Sequence, residues 1–176
     1  MNRQELIEQF TKNHQEFMEY VLDLSNEKLM FSPSEKWNAG QQLNHIYLCL
    51  MPIEQALASK EFILNKFGLS DHPSQPYQEI VKQYMHALNN GGKAPDRFVP
   101  ETFDLLNKPL LTNKLYDLLL RIGQRFENYS EEELDSLVLP HPLLGRLTIR
   151  ELFYVMTDHA VHHHKQVIRN LEEFHS

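Results

Sequence analysis

The sequence predicts an all-α fold, a four-helix bundle, from three observations. Apolar residues recur at spacings of three and four along most of the chain, which is the periodicity of a helix with one buried face. Glycine is scarce, with six residues, and the alternating β-branched pattern of strands is nearly absent. A chain of 176 residues is long enough for one core, so we expect a single domain over residues 1–176.

The first two main helices are predicted from an apolar stripe and a capping signal. The stripe predicts a first helix over residues 3–24, which the segment "SPSEKW" ends. Asn38 and Gln41 form a capping-box pair at the start of a second helix. That helix is expected to run to about Phe67, with a kink at Pro52 because proline removes a backbone donor.

The middle of the chain is predicted to be a long connection followed by the third main helix. "SDHPSQP" is expected to be a loop, and a helix over residues 77–88 ends at "NNGG". "KAPDRFVPETF" contains two prolines and is expected to be an extended connector. A strong leucine-rich stripe then predicts a helix over residues 110–128.

Two further capping boxes organise the C-terminal part. "SEEEL" pairs Ser130 with Glu133 and predicts a short helical turn. "VLPHPLLGRL" contains two prolines and a glycine, and we expect it to be a loop. "TIRE" pairs Thr148 with Glu151 and starts a last helix that runs to about residue 173.

Composition narrows the class of protein. The chain carries 17 Lys and Arg against 24 Asp and Glu, a net charge of −7, and no basic cluster, which argues against nucleic-acid and membrane partners. No run of 18 apolar residues and no signal-peptide pattern is present, so we expect a cytoplasmic protein. The single cysteine, Cys49, excludes an intrachain disulfide, and we interpret it as a small buried residue.

The last helix contains "DHAVHHHKQ", with four histidines in six positions. At about 100° per residue, His159 and His163 lie on the same buried stripe as the apolar side chains, whereas His162 and His164 lie on opposite flanks. Two imidazoles at i and i+4 can share one metal ion. A hydrogen-bonded pair of core histidines is the alternative, and the spacing leaves both open.

A third ligand would favour the metal site. His45 is the best candidate, because it lies in the apolar surround "WNAGQQLNHIYLCL", although the inward face of that helix is poorly defined. The remaining histidines lie in proline-bracketed loops, among polar neighbours or at the C-terminus. They are His14, His72, His86, His141 and His175.

Two segments resemble the DinB-like four-helix-bundle superfamily. "KWNAGQQLNHI" is similar to the family pattern W-[ST]-x-x-[EQ]-x-x-x-H, except that Asn38 replaces Ser or Thr as the helix cap. "HPLLGRLTIRELFYVMTDHAVHHHKQVI" resembles the family's glycine-containing loop, helix start and terminal H-x-x-x-H-[RHK]-x-Q. The resemblance implies an up-down-down-up bundle whose long crossover corresponds to residues 67–110.

The resemblance also implies a divalent metal held by His45, His159 and His163, with an open position for water or substrate. Histidine ligands suit zinc, nickel or iron alike. The implied function is a metal-dependent enzyme acting on a small molecule, either a transferase that uses a low-molecular-weight thiol or a hydrolase. No HExxH-type glutamate accompanies these histidines.

Two non-enzymatic alternatives stay open from the sequence. One is a helical bundle whose metal is structural, and the other is a metal-free interaction module. The resemblance also allows a homodimer through apolar faces on the first and third main helices. Catalytic residues are not assigned, and neither are the roles of the polar residues near the histidines, which are His141, Arg146, His162 and Gln166.

Overall fold

The computed structural model of the chain describes residues 1–175, and 71% of the chain is helical. The predicted all-α class is confirmed in this respect, with a two-stranded sheet added. The helices are α1 Arg3–Leu22, α2 Asn26–Met30, α3 Ala39–Ala56, α4 Lys60–Phe67, α5 Tyr77–Asn89, α6 Lys108–Phe126, α7 Glu131–Ser136 and α8 Ile149–Glu172. The strands are β1 Val138–His141 and β2 Gly145–Thr148.

The predicted capping boxes form as expected. In each, the cap side chain accepts the backbone N–H three residues on, and the side chain at that position accepts the cap N–H. This exchange satisfies two donors that a helix start leaves free. The predicted pairs are Asn38 with Gln41, Ser130 with Glu133, and Thr148 with Glu151.

The second main helix is shorter than predicted. We expected one helix to run from Asn38 to about Phe67, but α3 ends at Ala56 and α4 begins after Ser59. The break ends at Ser59, whose side chain accepts the Phe62 N–H and caps α4. A serine cap eight residues before the predicted helix end at Phe67 was therefore the signal that the apolar periodicity concealed.

The segment between α1 and α3 also contains structure that we did not predict. Ser25 caps the short helix α2 by accepting the Lys28 N–H. Leu29, on α2, is fully buried. The expected break in "SPSEKW" is present, because a three-residue 3-10 turn, Pro33–Glu35, separates α2 from α3.

The predicted loop at "VLPHPLLGRL" is wrong, since this segment folds as a β-hairpin. Val138 pairs with Thr148 and Pro140 pairs with Arg146. Proline is tolerated because both strands of a two-stranded sheet are edges, so its missing N–H breaks no central ladder. Gly145 begins β2 at a φ of 73°, a conformation that glycine adopts without strain.

The four longest helices pack around one apolar core. Helix α1 packs along α8, α3 packs along α6, and α3 also contacts α8. The core takes its largest side chains from these helices and from the segment after α6; they include Phe10, Phe17, Phe126, Tyr129 and Phe153. No helix among residues 1–175 has the length and apolarity needed to cross a membrane.

The face that α8 buries agrees with the predicted stripe. Leu152, Met156 and Val167 are buried on the same side as the two inward histidines. The other two histidines of "DHAVHHHKQ" are half-buried on the flanks: the ring of His164 lies 4.6 Å from that of Tyr20 on α1. This places one side of α8 against α1 and leaves another side free to border a cavity.

Candidate metal centre

Three imidazole rings meet where α3 crosses the middle of α8. His159 Nε2 lies 3.2 Å from His45 Nε2 and 3.0 Å from His163 Nε2. Each side chain is buried, with 4% to 6% of the residue exposed. The four-residue spacing on α8 stacks two of the rings one turn apart, and the packing of α3 against α8 supplies the third.

Hydrogen bonds determine which nitrogen carries the proton in two of these rings. His45 Nδ1 donates to the Phe98 carbonyl oxygen at 2.6 Å, since a carbonyl can only accept. Gln42 Nε2 donates to the Trp37 carbonyl, so its Oε1 accepts from His163 Nδ1 at 3.0 Å. His45 and His163 therefore both present Nε2 lone pairs, the arrangement that a metal-binding imidazole needs.

His159 completes a donor set that suits a cation. Its Nε2 contacts two nitrogens that bear lone pairs, and a single N–H can serve only one of them well. Its Nδ1 is buried without a hydrogen-bond partner in the described part of the chain. Metal–nitrogen bonds of about 2.0–2.1 Å separate neighbouring ligand nitrogens by roughly 3.0–3.4 Å. Both separations match that spacing, although the group whose donor atoms all lie within 4.8 Å of one another comprises His45, Cys49 and His159 and does not include His163.

Burial keeps the three histidines neutral. Desolvation lowers the pKa of His45, and the hydrogen bond to Phe98 opposes that shift. Desolvation, reinforced by the neighbouring imidazoles, holds the pKa of His159 and of His163 well below 6.5. Because neutral imidazole is the form that binds a metal, no proton has to be displaced at neutral pH.

Cys49 is part of the same cluster, although the sequence suggested only a packing role. Its Sγ lies 3.5 Å from His45 Nε2 and 3.8 Å from His45 Nδ1. The donor atoms of Cys49, His45 and His159 lie within 4.8 Å of one another, close enough to hold a metal ion. Burial raises the pKa of the thiol to about 12, with the nearby Arg97 charge opposing the shift. Its position one turn after His45 was the available signal.

A cavity of about 1350 Å³ borders the imidazole cluster, which exceeds the roughly 300–1000 Å³ of ordinary small-molecule sites. Trp37 forms part of its wall, with its ring 5.0 Å from that of His45. Apolar side chains of α3, α4 and the hairpin form much of the rest. The three histidines therefore lie on the wall of a space large enough for an organic substrate.

Two of the polar residues left unassigned by the sequence line this cavity together. Gln166 Nε2 donates to His162 Nε2 at 2.8 Å, so that His162 carries its proton on Nδ1. The His162 ring lies 5.3 Å from that of His163. Both residues are thus half-buried neighbours of the cluster rather than members of it.

The other two unassigned residues belong to the hairpin. His141 Nδ1 accepts the N–H groups of Leu143 and Leu144, and the half-buried ring lines the cavity. Desolvation lowers its pKa to about 4. Arg146 is exposed, lies outside the cavity lining and donates to the Leu69 carbonyl. His141 stabilises the hairpin turn, and Arg146 ties the hairpin to the segment after α4.

His14 is fully buried, although its polar sequence neighbours suggested otherwise. Its Nδ1 donates to the Phe10 carbonyl at 2.7 Å, and its Nε2 has no partner among the described residues. Desolvation lowers its pKa to about 4. His14 lies four residues after Phe10 and three before Phe17, so helical spacing places it on the apolar stripe.

The fold and the imidazole cluster together place this chain among helical proteins with a candidate metal centre between their helices. The family model of the DinB superfamily matches residues 9–167, and the chain belongs to this superfamily. The resemblance drawn from the two sequence segments is thus confirmed. The chain is similar to the uncharacterized protein YuaE of Bacillus subtilis (strain 168), with 26% identity over 151 residues that cover 85% of each chain.

Proposed function

We propose that this protein is a metal-dependent enzyme acting on a small molecule, with His45, His159 and His163 as ligands of one divalent ion. The observation that carries the proposal is the position of three buried imidazoles on the wall of a large cavity. His159 Nε2 lies 3.0 Å from His163 Nε2 and 3.2 Å from His45 Nε2. Three protein ligands with one open position are typical of catalytic metal sites, whereas structural zinc sites are closed by four. Zinc, nickel and iron all suit this donor set.

The proposed reaction is the transfer of a low-molecular-weight thiol to an electrophilic acceptor. A divalent ion would supply the charge that holds a substrate thiol as thiolate and lowers its pKa. Hydrolysis is the weaker candidate because it needs a general base, and the carboxylates that line the cavity, Glu172 and Glu173, lie at the C-terminal end of α8. Trp37 and the apolar wall would exclude water from the reacting thiol.

We further propose that the four long helices form the up-down-down-up bundle of the superfamily, with residues 67–110 as its long crossover. Arg150, at the start of α8, donates to the Met1 carbonyl, and His164 meets Tyr20, which supports parallel α1 and α8. Glu54 near the end of α3 pairs with Arg121 on α6 at 3.0 Å, which supports parallel α3 and α6.

Metal analysis of single variants tests the ligand assignment. The untagged protein is expected to carry one divalent ion per chain by elemental mass spectrometry, and His163→Ala is expected to lose it. Cys49→Ala is the matched control and is expected to keep the ion, because the proposal takes His163 and not the Cys49 sulfur as the third ligand. Loss in Cys49→Ala with retention in His163→Ala would instead assign the ligands as His45, Cys49 and His159.

A thiol-transfer assay tests the reaction. The metal-loaded protein is incubated with a panel of low-molecular-weight thiols and an electrophilic aryl halide, and consumption of the thiol is followed. We expect acceleration with at least one thiol, and background rates with metal-depleted protein and with His163→Ala. Background rates with every thiol, in protein shown to contain metal, would count against the transferase while leaving the metal site intact.

A further inference from the structure

The charge of the cavity is opposite to that of the chain. The whole protein carries −7, with 17 basic and 24 acidic residues. Five basic residues line the cavity, whereas two of the acidic residues, Glu172 and Glu173, do so. The basic residues are Lys36, Lys66, Lys93, Arg97 and Arg169. A concave site whose sign opposes the rest of the surface concentrates ligands of the complementary charge, here anions.

Four of these five cations have no carboxylate partner among the side chains that the structure describes. Lys36 pairs with Glu173 at 3.2 Å, but among the described side chains no carboxylate lies within ion-pair distance of the others. Two of the four lie over aromatic rings instead, Lys66 over Phe62 at 5.2 Å and Arg97 over Phe98 at 4.7 Å. These cations are exposed at the rim, so they are available to a ligand.

Two of these cations belong to segments that also contact or contribute to the imidazole cluster. Arg97 precedes Phe98, whose carbonyl accepts from His45, and its charge acts on Cys49. Arg169 follows Gln166 by three residues on α8, so it lies on the same flank of the helix as the cavity-lining residues before it. Both guanidiniums line the same cavity as the three histidines, which makes them the candidates to hold an acidic group beside the cluster.

The wall beyond the cluster is apolar. It is formed by one face of α3, by the aromatic side chains of α4 and by the hairpin; the side chains include Met51, Ile53, Ala56, Phe62, Phe67 and Leu139. Phe62 remains 44% exposed, a large apolar group that the protein covers only in part. Burial of a ligand's hydrocarbon against this wall contributes about 25 cal/mol per Å², so the wall favours an apolar body.

We propose that the cavity binds an amphipathic organic anion, with its acidic group between Arg97 and Arg169 and its apolar body along α3 and α4. Because this assigns a ligand class to the centre proposed above, it rests on the proposed function. The charge of the cavity disfavours a cationic ligand, and the apolar wall disfavours a small anion without hydrocarbon. A ligand that suits both the basic residues and the apolar wall carries a carboxylate or comparable acid on an aliphatic or aromatic body.

Calorimetric titration of metal-depleted protein tests this proposal. The ligands are octanoate, 1-octanol, octylammonium and butanoate, which separate the charge from the hydrocarbon. We expect octanoate to bind about tenfold or more tightly than any of the other three, because it alone satisfies both surfaces. Equal affinity for octanoate and octanol, tighter binding of octylammonium, or no binding of octanoate would each overturn the proposal.

Charge-removing variants test the placement. Arg97→Gln and Arg169→Gln are each expected to weaken octanoate about tenfold and to leave octanol unchanged. Lys12→Gln is the matched control, since it removes one positive charge from α1, where the side chain is 65% exposed and lies outside the cavity. Arg97→Lys is expected to retain most of the affinity, and circular dichroism verifies that each variant is folded. Unchanged octanoate affinity in both Arg→Gln variants would overturn the placement.

The two proposals fail separately. Octanoate is titrated into metal-depleted protein, whereas metal content is measured on ligand-free protein. A stoichiometric ion without octanoate binding would overturn the ligand class and keep the metal centre. Octanoate binding, together with no ion in the ligand-free protein as purified, would support the cavity assignment and overturn the metal-dependent function.

Discussion

His45 Nε2 lies 3.2 Å from His159 Nε2, although the two residues are 114 positions apart in the chain. The contact exists because the first half of α3 packs against the middle of α8. Each ring projects from a helix, and a helix positions side chains more rigidly than a loop does. The geometry of the centre therefore depends on the register between these two helices.

The Gln42 amide is expected to control metal affinity without touching the metal. It accepts the Nδ1 proton of His163 at 3.0 Å, and that bond orients the ring and raises the basicity of Nε2. We predict that Gln42→Leu weakens metal binding about 10–100-fold, measured by competition with a chelating dye. Gln55→Leu, on the same helix and also lining the cavity, is expected to bind metal as the wild type does. Equal affinities of the two variants would contradict this role.

Stability of the metal-depleted protein is expected to fall as pH drops from about 6.5 to about 4. Burial lowers the folded-state pKa of His14 from 6.5 to about 4. In that window the unfolded chain binds the proton more readily than the folded chain does, so acid favours unfolding. At pH 4.5 the cost from this one residue is about 2–3 kcal/mol, and it levels off below pH 4.

Urea titrations at pH 7 and pH 4.5 measure this cost. In His14→Leu the loss of unfolding free energy between the two pH values is expected to be smaller by about 2–3 kcal/mol. The exposed His86 serves as the control, and His86→Leu is expected to keep the wild-type pH dependence. If His14→Leu lost as much stability as the wild type, His14 would not be the buried titrating group.

Metal removal is expected to leave the fold intact. Apolar side chains of the four long helices make up the core, so a bound ion is expected to stabilise mainly by mass action, about 2.7 kcal/mol at a hundredfold excess over Kd. We predict an unchanged helical circular dichroism spectrum at 25 °C after chelation and a modest decrease in Tm. Loss of helical signal on chelation would favour the alternative of a structural metal.

Gly40 is expected to be essential for the packing of α3 against the connector. A Cβ atom at Gly40 would lie 2.3 Å from Cδ1 of the buried Phe103 ring, which forces a shift. We predict that Gly40→Ala lowers the free energy of unfolding by about 1–3 kcal/mol, measured by urea denaturation. Gly123→Ala, on α6 with open space around it, is expected to be neutral or stabilising because alanine favours helices.

A double-variant cycle tests whether the contact with Phe103 causes the lower free energy of unfolding of Gly40→Ala. In a Phe103→Ala background the Gly40→Ala substitution is expected to cost little, because the overlapping ring is absent. An undiminished cost in that background would mean that the backbone at Gly40, rather than the contact with Phe103, makes the substitution unfavourable.

Most of the helical structure was predictable because its signals are local. The cap at Thr148 and the apolar stripe after it define α8 to within a residue. The break at Ser59 was missed because the apolar pattern continues across it. The hairpin was missed because proline and glycine favour a loop locally, whereas the buried Leu139 and Leu147 pair as strands against the core.

By itself the sequence determined that His159 and His163 share one buried face, since helix geometry makes residues four apart neighbours. It could not decide which side of α3 faces α8, because that helix is apolar on most sides. Tertiary packing decided this and brought His45, Cys49 and Gln42 to the same point. The hydrogen bond from His45 to the Phe98 carbonyl could not be predicted, because the sequence does not indicate where the backbone of a connector will lie. The spacing of apolar residues determines which side chains share one face of a helix. Which faces of different helices contact each other is determined only when the whole core is buried.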